Sequence, residues 1–130
     1  MNQRQPVSFH DRMTGLDAAS WNALAGDYPF LRHEFLAALE TTGCVSPAVG
    51  WIPHHLRIGP PTQPLALAPL YEKTHSWGEF VFDFAWARAW ESRGLDYYPK
   101  LLLAIPFTPA TGPRVLCAAG EDGGERARRA

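Results

Sequence analysis

Apolar side chains in the first third of the chain recur at three- and four-residue spacing, the period of a helix with one buried face. In DAASWNALAG, Asp17 stands where a helix cap belongs. Trp21 and Leu24 share a face and Gly26 follows, so a short capped helix is expected there. LRHEFLAALETTG places Leu31, Phe35, Leu36 and Leu39 at helical spacing, with Gly43 as a stop. Residues 1–15 carry no such pattern and read as a loose lead-in.

The pattern then changes. AVGWI and HLRI flank Pro53 and predict two short strands or one bent edge strand, followed by the loop GPPTQP. LALAPLYEKT is apolar and then alternating, with Pro69 marking a bulge or an edge. EFVFDFAWARAWESRG opens with strand-like alternation of Phe80 and Phe82. It then moves to helical spacing at Phe84, Trp86, Ala89 and Trp90, ahead of Gly94. KLLLAI, between Pro99 and Pro106, is an unbroken apolar run of strand length, the pattern of a strand buried on both faces. PRVLCA predicts one more short strand. The order of elements predicts a mixed α/β or α+β domain over residues 16–118. Residues 119–130 read as a linker and the first turn of a helix with no apolar face, so the fold is expected to be incomplete at its C-terminus.

Composition narrows the class. A chain of 130 residues with 46% hydrophobic and 19% charged residues fits one soluble globular domain. Twelve basic against 13 acidic residues give a net charge of −1, which argues against broad electrostatic binding to nucleic acid. Ten of the 12 basic residues are arginine. No apolar run approaches the ~20 residues of a membrane helix, and the N-terminus has no signal-like stretch. Cys44 and Cys117 form no CxxC pair, so a reduced, cytoplasmic protein with two small buried thiols is expected.

Candidate chemistry is sparse. His10, His33, His54, His55 and His75 show no HxxxH or HExxH spacing, and neighbours such as His54 and His55 point to opposite faces of a strand. No metal is expected, and His33, between Arg32 and Glu34, is read as a solvated or edge histidine of the helix. The chain has no GxSxG elbow and no GxxxxGK[ST] phosphate loop. YEKTHSWGEFVFDFAW is richer: Lys73, His75, Glu79 and Asp83 lie among Tyr71, Trp77, Phe80, Phe82, Phe84 and Trp86. Ionisable groups in an aromatic surround suit a pocket for an amphipathic ligand. An ordinary aromatic core with its charges facing solvent fits the same composition. PFTPATGPR offers Thr108, Thr111, Gly112 and Arg114, a set able to hold a phosphate or carboxylate and equally able to make a plain turn.

PFLRHEFLAALETTGCV, GWIPHHL and the long block from Ala68 to Leu116 together resemble the N-terminal part of the FemAB-like family. Its members are described as peptidoglycan biosynthesis or recognition proteins and are often labelled GNAT-type N-acyltransferases. The resemblance runs from about Trp21 to Leu116. It implies a GNAT-like fold and transfer of an acyl or aminoacyl group onto an amine of a small-molecule or cell-wall-precursor substrate. The donor would be acyl-CoA or aminoacyl-tRNA, with no permanently bound cofactor. Placement in the resembling block makes His75 and Asp83 the candidates for proton handling. Lys73, Trp77, Thr108, Thr111, Gly112 and Arg114 are the candidates for contact with donor or substrate. The Gln/Arg-x-x-Gly-x-Gly/Ala loop common in GNAT enzymes is absent. The resemblance also implies that the chain, as a fragment, is inactive alone and needs a missing C-terminal region or a partner chain. The alternative is a non-catalytic recognition module using the aromatic segment 71–90.

Overall fold

The computed structural model describes residues 4–120. Its frame is one long bent hairpin. β2 (Trp51–Pro53) runs through His54 into β3 (His55–Ile58), and β4 (Ala66–Ala68) runs through Pro69 into β5 (Leu70–Lys73). The register is the same on both sides of the bend, with Pro53 opposite Tyr71 and Leu56 opposite Ala68. Pro69 has no N–H to give the ladder. Pairing therefore lapses beside His55, and the two ends of the hairpin enter different sheets.

At one end β1 (Val7–His10) joins β3 and β7 (Leu116–Cys117) joins β4, giving an antiparallel sheet in the order β1-β3-β4-β7. At the other end β6 (Lys100–Leu103) joins β5, giving the order β2-β5-β6. Three helices complete the fold: α1 (Ala18–Ala25), α2 (His33–Thr41) and α3 (Phe84–Glu91). The result is the expected mixed α+β architecture.

Local chemistry places the helices. The Asp17 carboxylate accepts from the Ser20 N–H at 2.8 Å and caps α1, and Gly26 ends the helix at φ 61°. The main core joins Met13, Leu16, Trp21, Leu31 and Leu36 to Leu67 and Leu116 of the larger sheet. Trp21 donates its indole N–H to the Leu31 carbonyl at 2.7 Å, so its complete burial leaves no unmet donor. A second core of Val45, Trp51 and Tyr71 underlies the smaller sheet. Glu40 of α2 links the parts: it accepts from the Met13 N–H at 2.7 Å and meets His55 Nε2 at 2.6 Å, at the bend of the hairpin.

Several expectations are corrected. Val7–His10 is a paired strand within the supposed lead-in, fixed by cross-strand partners that local sequence does not reveal. β6 is a sheet edge, paired only with β5, and Leu101 and Leu103 are exposed because they lie on a face of the smaller sheet that the described residues leave open. Phe80 and Phe82 lie in an irregular loop. His33 is buried, with Nε2 at 2.7 Å from the Met13 carbonyl, and both cysteines are exposed. The tail over residues 121–130, where the start of a helix was expected, lies outside the described residues.

Leu36→Ala, in the packed core, is expected to lower unfolding free energy by about 2–5 kcal/mol. Leu101→Ala, on the open sheet face, should change it by less than about 0.5 kcal/mol. Urea denaturation of the two variants checks the pair.

Candidate functional site

The chain contains two lysines, and β-pairing sets them directly opposite each other: Lys73 ends β5 and Lys100 begins β6. Like charges across a strand pair repel. The loop over residues 74–83 answers that repulsion by turning its acidic side chains inward. Lys100 Nζ donates to Glu79 Oε2 at 2.7 Å, to Ser76 Oγ at 2.8 Å and to Asp83 Oδ2. Tyr97 donates its hydroxyl to the same Asp83 oxygen at 2.6 Å, and the Tyr98 hydroxyl meets Ser76 Oγ at 2.7 Å.

Lys73 is held differently. Its side chain is fully buried, with Nζ 3.8 Å from the centre of the Trp51 ring. It donates to the Trp77 carbonyl at 3.0 Å, and Glu79 Oε1 stands 3.9 Å away, too far for a hydrogen bond. Burial, reinforced by the Lys100 charge and only partly offset by Glu79, pulls the Lys73 ammonium down to about 8. For Lys100 burial acts the same way, but Asp83 and Glu79 outweigh it and the group stays protonated above its ordinary range. Burial alone would raise Asp83. Its neighbours Lys100, Ser76 and Tyr97 overcome that and hold the carboxyl at about 2. Glu79 Oε1 and Asp83 Oδ1 remain buried without a hydrogen-bond partner.

The loop is thus inside out. Its charges face the lysines, while Trp77 (69% exposed) and Phe82 (84%) face solvent, followed on α3 by Trp86 (68%). This reverses the reading of an aromatic core with solvated charges. Phe80 takes a left-handed backbone at φ 58°, a strained choice for an aromatic residue whose ring is exposed. Gly78 is required: at φ +81° a Cβ there would come within 2.5 Å of the Phe107 ring, which packs on Trp51.

The residues singled out in the sequence divide. Lys73 and Asp83 share the ion cluster, and Trp77 contributes its carbonyl to it. His75 has no ring nitrogen free for proton handling. Nε2 lies 2.9 Å from the Val49 carbonyl, and Nδ1 accepts the Trp77 N–H at 3.1 Å. The loop after β6 does not present an anion cradle. Arg114 is spent on the carbonyls of Ala110, Gly112 and Pro113, and Thr108 bonds the Pro106 carbonyl. Tyr28 donates to the Thr111 carbonyl, and its ring would lie 2.8 Å from a Cβ at Gly112. Lys100, Ser76, Tyr97 and Tyr98 escaped sequence reasoning. One signal for Lys100 was available: it is a lone charge heading an apolar strand, and one of two lysines among 12 basic residues.

A separate cleft of about 440 Å³ is lined by Arg12, Glu40, Ser46, Ile52 and His54 among others, and includes none of these site residues. Both Glu40 oxygens there are already engaged. Among the described residues no group of three His, Cys, Asp or Glu is placed to hold a metal ion, and no helix is long and apolar enough to cross a membrane.

A sequence model of the FemAB-like family, described as peptidoglycan biosynthesis/recognition, matches residues 12–129. The chain belongs to the FemAB-like family. No curated protein and no solved structure matches it. The FemAB-like match takes in the whole ion cluster and the outward aromatic segment.

Asp83→Asn is expected to destabilise the fold by about 2 kcal/mol at pH 7, the size of a two-unit depression. The carboxylate's contribution is complete above its ordinary 3.8 and is lost as pH falls through about 2. Urea titrations of wild type and variant should differ at neutral pH and converge near pH 2.

Proposed function

We propose that this FemAB-like chain belongs to an N-acyltransferase that moves an acyl or aminoacyl group onto an amine of a cell-wall precursor. The observation that carries the reading is the buried Lys73–Glu79–Lys100–Asp83 cluster. It holds one amine that changes protonation near neutral pH beside another held charged. Amine acylation needs both properties. The attacking nitrogen must lose a proton to a base, and the oxyanion of the tetrahedral intermediate needs a fixed positive partner.

In this reading the acceptor reaches the cluster at its partly open side, where Lys100 and Asp83 retain slight exposure. Asp83 and Glu79 orient the incoming ammonium, and its proton passes by way of Glu79, whose Oε1 stands 3.9 Å from Lys73 Nζ, to neutral Lys73. The nitrogen attacks the donor carbonyl, forming the C–N bond. The thiolate of acyl-CoA, or the ribose oxygen of aminoacyl-tRNA, leaves with the bonding pair and takes up the second proton of the attacking nitrogen, so that a neutral amide remains. Lys100 balances the oxyanion. Both donors are cytoplasmic, which places the reaction there. The GNAT-like fold belongs to the same proposal, as does the need for further chain or a partner to complete a donor site.

A second reading is favoured by the exposed Trp77, Phe82 and Trp86: flat aromatic faces that can stack on a sugar ring, serving recognition without catalysis.

Mass spectrometry of amine-bearing muramyl peptides incubated with the chain joined to the further region that completes its donor site, and with either acyl-CoA or aminoacyl-tRNA, separates the two. Acylated product, lost by at least about 100-fold in Lys100→Met, supports transfer. A folded protein that binds the peptide but forms no product with either donor supports recognition alone.

A further inference from the structure

Trp77, Phe80, Val81, Phe82, Trp86 and Trp90 lie within one stretch of 14 residues and are 45–84% exposed. At about 150–250 Å² per aromatic side chain, their exposed parts sum to roughly 800 Å² of apolar surface. A monomer's largest apolar patch is usually about 300–600 Å². One side of a standard protein–protein interface buries about 800 Å². Summed over this stretch, the exposed apolar area is of the size that one side of a stable contact buries.

Its composition is that of an interface core: tryptophan and phenylalanine, with arginine at the margin and no outward carboxylate in the loop. Glu79 and Asp83, the acids of that loop, are turned onto Lys100. A lipid surface is the poorer match, because membrane-lying helices carry a strongly basic polar face. Here Arg88 and Arg93 alternate with Glu91 and Asp96, in a chain of net charge −1.

The face of α3 is also self-complementary. Ala85 and Ala89 are exposed small residues, flanked by Trp86 and Trp90 and followed by Arg93 in the turn that closes the helix. Trp86 and Arg93 stand about two turns apart. Two copies of α3 laid antiparallel about a two-fold axis near Ala89 would put each Trp86 ring against the Arg93 guanidinium of the other. The alanines would let the backbones approach.

We propose that this surface is the contact between two copies of the chain, made by antiparallel α3 helices with Ala89 near the two-fold axis. Each copy then covers the outer side of the other's 74–83 loop and holds Ser76, Glu79 and Asp83 down on the lysines. The inference is independent of the transfer chemistry.

Sedimentation velocity over a concentration series tests it. Wild type is expected to run at about twice 14.4 kDa. Ala89→Glu and Ala89→Arg, each bringing like charges together at the axis, should weaken association at least about tenfold. Circular dichroism checks that both remain folded. An equimolar mixture of the two variants should regain the dimer. A wild type that stays monomeric throughout overturns the proposal, as do variants that dimerise as wild type does or a mixture that fails to pair. So does a monomer that instead sediments with phosphatidylglycerol vesicles, which would assign the patch to lipid.

Discussion

The Lys100 ammonium, set between Glu79 and Asp83, is the contact on which the smaller sheet and the 74–83 loop depend. β-pairing brings Lys100 opposite Lys73, and the smaller sheet would carry two facing positive charges without a counterweight. The loop supplies that counterweight and is shaped by doing so. With its acids bound inward at Lys100, its aromatics have only solvent to face, and Phe80 accepts a left-handed backbone between the two anchors. Strain of this kind persists where surrounding contacts over-determine the backbone. Here the surrounding contacts are a buried, charge-assisted network.

That network stands on the bent hairpin. Pro69 breaks the ladder, and Glu40 and His55 fix the bend against α2, so β5 leaves the main core at a defined angle and delivers Lys73 over the Trp51 ring. The choice of lysine matters. Arginine stays charged in any surroundings, whereas a buried lysine can give up its proton near neutral pH. A chain that uses arginine at ten of its 12 basic positions keeps lysine at these two.

Helices were readable in the sequence where local rules govern them. Asp17, Gly26 and the spacing of Leu31 to Leu39 placed α1 and α2 because caps and periodicity act within a few residues. β6 was misread because an apolar run does not say whether both faces of its sheet are covered, and Leu101 and Leu103 lie on an open one. β1 was missed for the converse reason, since its partner β3 lies some 50 residues away. Half of the candidate site was visible, as Lys73, Glu79 and Asp83 fall within 11 residues. Lys100 and Tyr97 join them only through the β5–β6 register. The loop after β6 looked like an anion site from its composition, but Tyr28 and its own carbonyls consume its polar groups.

The FemAB-like assignment gives the chain a peptidoglycan-related setting. The central claim is that β-pairing and burial separate the two lysines into one amine that titrates near neutrality and one that stays charged. NMR titration of the lysine side chains, followed at Cε and Nζ, measures this directly. The account predicts a midpoint of about 8 for Lys73 and one above the ordinary 10.5 for Lys100. A single transition near 10.5 for both would contradict it.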